Sequence, residues 1–337
     1  YQEEVGVEEA NEARAVERAL EAAERRSAAR VSIHTYEGQT LHHPHDIPFP
    51  ADNIPDRYTA FRKGVEKEGR IRDAFARPTH LPPPPPSVSD AHGGAAGHDA
   101  PPRGGTECMP AIEELAGAAH PGDDPRNAAP FHGGEIAAFE RLQSYVWDRD
   151  RLRVYRDTRN GLVGTDYSSK FSAWLANGSL SPRAVVAEVG RYEEERVRNS
   201  STYWLIFELM WRDYFAFLAR KYPTRIFRLD GPKQRRFPWR VDHEAFERWR
   251  TGRTGDAFID ANMREIAATG YMSNRGRQNV ASFLARDMRV NWLMGAEYFE
   301  SMLIDYDPAS NYGNWTYTVG VGTDPRRDRY FDPTRQA

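Results

Sequence analysis

The chain has 337 residues, of which 39% are hydrophobic and 28% charged, with a net charge of −3. This length and balance give room for two globular domains and do not by themselves point to nucleic acid. There is no apolar run long enough to span a membrane, residues 1–10 are acidic rather than signal-like, and the single cysteine, Cys108, excludes a disulfide scaffold within the chain, which fits a reducing, cytoplasmic setting.

Residues 7–26 are rich in Ala, Glu and Arg, with no Gly or Pro, and predict a helix. Residues 31–36 alternate Val31, Ile33 and Thr35 and predict a short strand. The pair is expected to be the tail of an α/β unit that begins upstream, covering residues 1–64 with its exit segment. Prolines break residues 42–54, and 56–69 predict a short helix. Five consecutive prolines, Pro82 to Pro86, then precede Gly- and Ala-rich sequence. This composition predicts a partly disordered linker across 82–124, within an interdomain segment spanning 65–130.

From Gly134 onward the pattern is helical. Helices are predicted at 135–145, from the Ser181-Pro182 cap to about 198, at 203–220, at 256–268 before Gly270, at 275–290 and at 294–303. Strand signals are nearly absent, so residues 131–337 are expected to form an all-helical domain and the chain to be mainly α. Seven of the eight tryptophans follow residue 170. A large aromatic core is the ordinary reason for such an excess.

Four constellations carry chemistry. Tyr155 and the run Tyr167-Ser168-Ser169-Lys170-Phe171-Ser172 offer clustered hydroxyl and backbone donors with one cation, which suits a diphosphate; capping is the plainer reading. In the aromatic helix, Glu208, Trp211 and Arg212 share a face. They form either an internal Glu–Arg pair or the carboxylate and indole wall of a cavity, with Trp204 one turn before. Asn274, Arg275, Arg277 and Gln278 open a helix whose dipole already disfavours cations. Asp305 and Asp307 are candidate counter-charges, and a reduced, anionic cofactor would explain the cost. The fourth run, Asp305 to Trp315, predicts a structured loop through its Asp, Pro, Asn and Gly. Metal binding is the alternative there, but the calcium-loop offsets are absent. His42, His43, His45 and Asp46 lack a spaced second ligand pair.

Together these motifs resemble the photolyase–cryptochrome family over residues 131–337, and more faintly over 31–66. Within it, Asn262-Met263-Arg264-Glu265, residues 272–278, and Thr40-Leu41 through Phe61-Arg62 resemble the DASH branch. The resemblance implies an all-helical FAD-binding domain. It places Tyr155 and Ser168, Ser169, Lys170, Phe171 and Ser172 at the FAD diphosphate. Trp204, Glu208, Trp211 and Arg212 would border flavin and lesion. Asn274 and Arg277 would lie around the isoalloxazine with Arg277 paired to Asp305, and Asp307 and Asn311 would contact the flavin. Trp315, Trp292 and Trp249 would form an electron relay running from flavin to surface.

Gln278 and Tyr317 stand where ordinary dimer photolyases usually carry Met and a second lesion-stacking Trp, which favours the DASH branch. The activity so implied is light-driven repair of cyclobutane pyrimidine dimers, preferentially in single-stranded DNA, by a monomer without membrane contact. Glu208, Trp211, Gln278 and Tyr317 would meet the lesion, with Asn274 beside them. A non-catalytic blue-light receptor or nucleic-acid-binding regulator is the alternative. Asn291-Trp292-Leu293 departs from the family's Asp-Trp-Arg. Most of the α/β domain, which carries an antenna that is often a folate such as methenyltetrahydrofolate, is expected to be missing, as are the last residues of the relatives. The chain is therefore expected to be a fragment.

Overall fold

Capping chemistry sets most of the helix boundaries. The computed structural model describes residues 2–26, 32–76, 78–80, 114, 117, 124, 127–129, 131–326 and 329–336. Residues Tyr1–Ala74 and Arg126–Ala337 form one compact unit and Phe75–Pro125 a second. The linker expected at 82–124 lies almost wholly outside the described residues.

In chain order the first unit contains α1 (Val7–Glu24), α2 (Tyr58–Glu68), α3 (Glu135–Gln143), α4 (Tyr155–Thr158), α5 (Ser172–Ala176), α6 (Pro182–Glu195) and α7 (Ser200–Lys221). There follow α8 (His243–Arg250), α9 (Ala257–Thr269), α10 (Asn274–Ser282), α11 (Trp292–Met302), α12 (Pro308–Val319) and α13 (Pro333–Gln336). The Ser181 side chain accepts from the Arg183 N–H, and Pro182 opens α6 without wasting a donor. Asn199 and Thr202 make a reciprocal capping box at α7. Gly270, at φ 67°, and Gly320, at φ 88°, end α9 and α12 in the left-handed region open to glycine.

Three expectations need correction. Among the described residues 32–36 there is no strand; Tyr36 makes only an isolated parallel bridge to Gln2, and Val31 is outside the described residues. A strand needs a ladder, and among the described residues no neighbouring segment supplies one. The helix predicted at 275–290 stops earlier: α10 widens into a π turn over Phe283–Asp287 and breaks before Arg289, whose φ is 53°. The loop predicted at 305–315 is largely helix. The Asp307 carboxylate caps the Ser310 N–H at 2.6 Å and Pro308 occupies the first turn of α12. Its small residues serve packing rather than turning: a Cβ on Gly313 would lie 2.4 Å from the Phe215 ring.

α7 organises the core. Its 22 residues span about 33 Å at the helical rise. Leu205, Leu209, Tyr214 and Phe217 face one apolar cluster with Phe61, Tyr145 and Tyr192. Ala216 and Ala219 face a second cluster, built on Trp249, Trp292, Trp315 and Met263. A helix buried on so much of its circumference must be apolar nearly all round. That leaves the charged side chains of its middle, Glu208, Arg212 and Asp213, to be explained individually. Asp213 accepts the Leu41 and His42 N–H groups at 2.7 and 2.8 Å and lies 2.9 Å from the His42 ring, pinning the N-terminal segment to α7.

Candidate functional site

α7, residues 167–172, the start of α10 and the segment entering α12 surround a cavity of about 540 Å³. A pocket of this size suits a cofactor or substrate. Of the expected residues, Tyr155, Ser168, Ser169, Lys170, Phe171, Ser172, Glu208, Trp211 and Arg212 line it. Asn274, Arg277, Gln278, Asp305, Asp307 and Tyr317 line it too. A smaller recess of about 90 Å³ shares several of these walls and reaches Asn311 and Trp315. Trp204 does not line either space, but its indole N–H donates to Glu208 at 3.0 Å.

The 167–172 turn is held from behind. Arg141 donates to the carbonyls of Thr165, Ser168 and Ser169 at 2.9, 3.1 and 3.0 Å. Lys170 occupies the left-handed region at φ 56°, uncommon for a side chain of its size. Its ammonium is buried and has no hydrogen-bond partner, with the Tyr167 ring 3.7 Å below it. Burial, reinforced by the Arg141 charge, pushes its pKa down to about 7. An unpaired buried cation is costly, and an anion entering the cavity would relieve it.

The same cavity carries a second, complementary defect. Arg277 donates to Asp305 at 2.9 Å and, through Nε, to the Met272 carbonyl at 2.8 Å. The other Asp305 oxygen is buried without a partner. Asp307 divides its carboxylate between the cap of α12 and the Gln39 amide at 3.0 Å. Asn311 donates to the Ala296 carbonyl at 3.1 Å.

Glu208 does not pair with Arg212. Arg212 donates to the Gln39 and Leu175 carbonyls, tying the N-terminal segment to α5. Glu208 instead meets Arg159 at 3.1 Å. Burial raises the Glu208 pKa, while Arg159 and Trp204 oppose that rise. The guanidinium groups of Arg156 and Arg159 lie 4.9 and 4.8 Å from the centre of the Trp204 ring. Trp211 stacks on Tyr58 at 3.6 Å and 13°, and meets Tyr317 edge-on at 5.5 Å. Tyr317 accepts from Arg329 at 2.8 Å. Gln39, Tyr58, Arg159 and Arg329 were missed as site residues; nothing in their local sequence marks them, since each arrives from a distant segment.

The indoles behind the recess form a cluster rather than a line. Trp315 meets Trp292 at 6.5 Å and 24°, and Trp249 at 6.4 Å and 67°. Trp249 and Trp292 are both 0% exposed, so Trp249 is not the surface end that was expected of it. Trp239 is only half-buried, and its neighbour Arg240 bonds with residues 289 and 291 at the entrance to α11.

The donor set fits FAD: a buried cation awaiting an anion, an unpaired carboxylate oxygen and apolar walls between them. Asp305 and Asp307 do not gather with further metal-type ligands, and no group of three or more such side chains occurs among the described residues. Asp46 is bound by Arg72, and His42 by Asp213. Among the described residues no helix is long and apolar enough to cross a membrane.

Residues 204–337 match the FAD binding domain of DNA photolyase. The chain is 53% identical over 300 residues to the chloroplastic/mitochondrial cryptochrome DASH of Oryza sativa, covering 89% of this chain and 49% of that one. It is 50% identical over 303 residues to the cryptochrome DASH of Synechocystis, covering 90% and 58%. The crystal structure of a Synechocystis cryptochrome superposes with a TM-score of 0.87 at 47% identity, covering 100% of this chain and 65% of that one. The chain thus spans about half the length of the curated relatives it matches. The helical fold, the cavity and these likenesses agree: the chain belongs to the photolyase–cryptochrome family of flavoproteins, is homologous to its cryptochrome DASH members, and carries the family's helical FAD-binding domain.

Proposed function

We propose that the cavity holds FAD along the wall from Lys170 to Asp305, and that the protein uses it to repair cyclobutane pyrimidine dimers in single-stranded DNA under light. The observation that carries this reading is the shared cavity. Glu208, Trp211, Gln278 and Tyr317 line the same space as the unpartnered Lys170 ammonium and Asp305 oxygen. Reduced flavin supplies the light-driven electron when bound. Lys170 and the hydroxyls of Ser168, Ser169 and Ser172 would bind the diphosphate, and Tyr155 would wall it. Arg277 and Asp305 fix each other and would orient the ring system, with Asn274, Asp307 and Asn311 around it. Glu208, its pKa raised by burial, would hydrogen-bond the dimer.

Trp211 would stack on the dimer with the face that Tyr58 leaves free. Stacking of one base on an aromatic ring contributes about 1–3 kcal/mol, comparable to the few kcal/mol needed to flip a nucleotide from a duplex. With Tyr317 turned edge-on to Trp211 and held by Arg329, single strands are the easier substrate. A folate antenna and damaged DNA as partner are part of the same proposal. A second reading, a blue-light receptor without repair, is favoured by the indole cluster, which would supply electrons for photoreduction of the flavin and is not needed for the repair step.

The test illuminates the reduced, FAD-loaded protein with a thymine dimer in single-stranded and duplex oligonucleotides. Repair of the single strand is expected, together with a roughly ten- to hundredfold loss in Glu208→Gln, the equivalent of about 1.5–3 kcal/mol for a hydrogen bond to a charged group. Photoreduction of the oxidised protein, without repair of either substrate by the reduced protein, would select the receptor reading.

A further inference from the structure

One aromatic contact leads out of the indole cluster toward a base. Tyr312 of α12 meets Trp292 at 6.3 Å and 71°. Its hydroxyl donates to the Glu300 carboxylate at 2.9 Å. Tyr312 is 7% exposed, and Phe227 covers another side of its ring at 4.7 Å. Glu297 and Glu8 add further negative charge around it.

Three indoles of the cluster donate to no such base. Trp292 donates its N–H to the Leu229 carbonyl at 3.0 Å, Trp249 to the Val280 carbonyl at 3.0 Å and Trp239 to the Ala285 carbonyl at 2.9 Å. A backbone carbonyl is too weak a base to take a proton from an oxidised indole. Indoles that do donate to carboxylates, Trp204 to Glu208 and Trp147 to Glu188, are on other helices and outside this cluster. An electron vacancy in the cluster therefore stays cationic and mobile until it meets a donor that can release a proton. Oxidation of a phenol makes its proton strongly acidic, so a phenol already bonded to a carboxylate is such a donor.

Resting on the reading that light draws an electron from Trp315 into bound flavin, we propose that Tyr312 and Glu300 form the proton-coupled terminus of the tryptophan cluster. Photoexcited, oxidised flavin would be the oxidant, accepting one electron from Trp315, and the vacancy would pass from Trp315 to Trp292. One electron then moves from Tyr312 to the Trp292 radical cation, restoring the neutral indole. The Tyr312 O–H bond breaks, and its proton passes to Glu300, giving a neutral tyrosyl radical and a carboxylic acid. The surrounding carboxylates favour the positive charge that arrives. Burial, together with the hydrogen bond to Glu300 and its charge, holds the phenol protonated at rest.

The structure contains its own control. Tyr298 touches Trp249 at 5.9 Å, but the Arg250 guanidinium sits 5.9 Å over its ring and opposes oxidation. Tyr312 thus lies beside a base and Tyr298 beside a cation, while Tyr306 packs against the same cluster and also reaches Glu300.

The test is a laser flash on the FAD-loaded, oxidised protein, followed by transient absorption and freeze-trapped electron paramagnetic resonance. A tryptophan radical followed by a tyrosyl radical is expected, with tyrosyl formation slowed in heavy water. Tyr312→Phe and Glu300→Gln should abolish the tyrosyl signal and shorten the life of the separated charges, whereas Tyr298→Phe leaves both intact. Absence of any tryptophan radical would sink the relay reading itself. A tryptophan radical without a tyrosyl successor, or a tyrosyl signal that survives in Tyr312→Phe, would overturn the assignment to Tyr312 alone. In flavin-free protein, tryptophan oxidation by azide radicals gives the same readout: the fast intramolecular Trp-to-Tyr phase should vanish in Tyr312→Phe, and its persistence would overturn the proposal.

Discussion

The cavity wall and the indole cluster meet at α12, through Asp307 and Trp315, and differ in how complete they are. In the cavity, the Lys170 ammonium and one Asp305 oxygen are buried without partners. In the cluster, Trp249 and Trp292 are fully buried and each indole N–H has a carbonyl acceptor. The first region is finished only by something that binds there; the second is finished by the chain itself. Substitutions in the cavity should therefore exchange stability against binding. Those in the cluster should cost stability, or change electron flow, without a compensating gain.

The sharpest break of this contrast is Asp305→Ala. It leaves Arg277 without its carboxylate beside the cavity, and removing one member of a buried pair costs about 3–5 kcal/mol. Urea unfolding of the flavin-free protein should show that loss; a change below about 1 kcal/mol would mean that solvent screens the pair.

Lys170→Met is expected to do the opposite in the two states. Retention of FAD should fall by roughly ten- to hundredfold, the range for a charge-assisted hydrogen bond, while the flavin-free protein keeps or gains stability. The pH dependence carries the same sign. Lys170 has a folded pKa lowered from 10.5 to about 7. Between those values the unfolded chain binds a proton that the folded chain does not, so stability rises with pH through that window. Below about 7 the full penalty remains. The slope should disappear in Lys170→Met and flatten when FAD is bound. An identical slope in the variant would remove Lys170 as its source.

Within the cluster, Gly295→Ala drives a Cβ to 2.4 Å from the Trp315 ring and 2.6 Å from Leu284. Overpacking of this kind costs about 1–3 kcal/mol, and calorimetry should find it with FAD present or absent. A loss confined to the flavin-bound protein would assign the glycine to the cavity instead. The smallest structural effect, and the finest discrimination, comes from the indole nearest solvent. Trp239→Phe should slow photoreduction by an external reductant with little loss of stability, because Trp239 is only partly buried, beside the entrance to α11, whereas Trp249 is fully buried. Trp249→Phe should affect packing more than photoreduction. The reverse ranking would restore Trp249 as the outlet.

Local chemistry was legible in the chain. The Ser181-Pro182 and Gly270 signals act within a few residues, so helix ends followed from them. The runs around Lys170, Glu208, Arg277 and Asp307 were also legible, because each motif is contiguous. The 305–315 run misled where one residue type serves two ends: Asn and Gly suit loops, yet here Gly313 lets α12 approach α7.

Partners across the fold were not legible. Arg212 could satisfy its charge from Glu208 one turn away, but the folded chain gives Glu208 to Arg159 and turns Arg212 to the Gln39 carbonyl. Trp211 is covered by Tyr58, and Asp307 is held by Gln39, 268 positions away. Whether Trp249 is inside or at the surface depends on the helices around it. By itself, the sequence determined the helical class, the caps and the residue types offered to a flavin. Tertiary structure alone decided which charge meets which, which polar atoms are left for a ligand, and which indole reaches solvent. Those outcomes depend on burial and proximity between segments far apart in the chain, which local propensity does not encode.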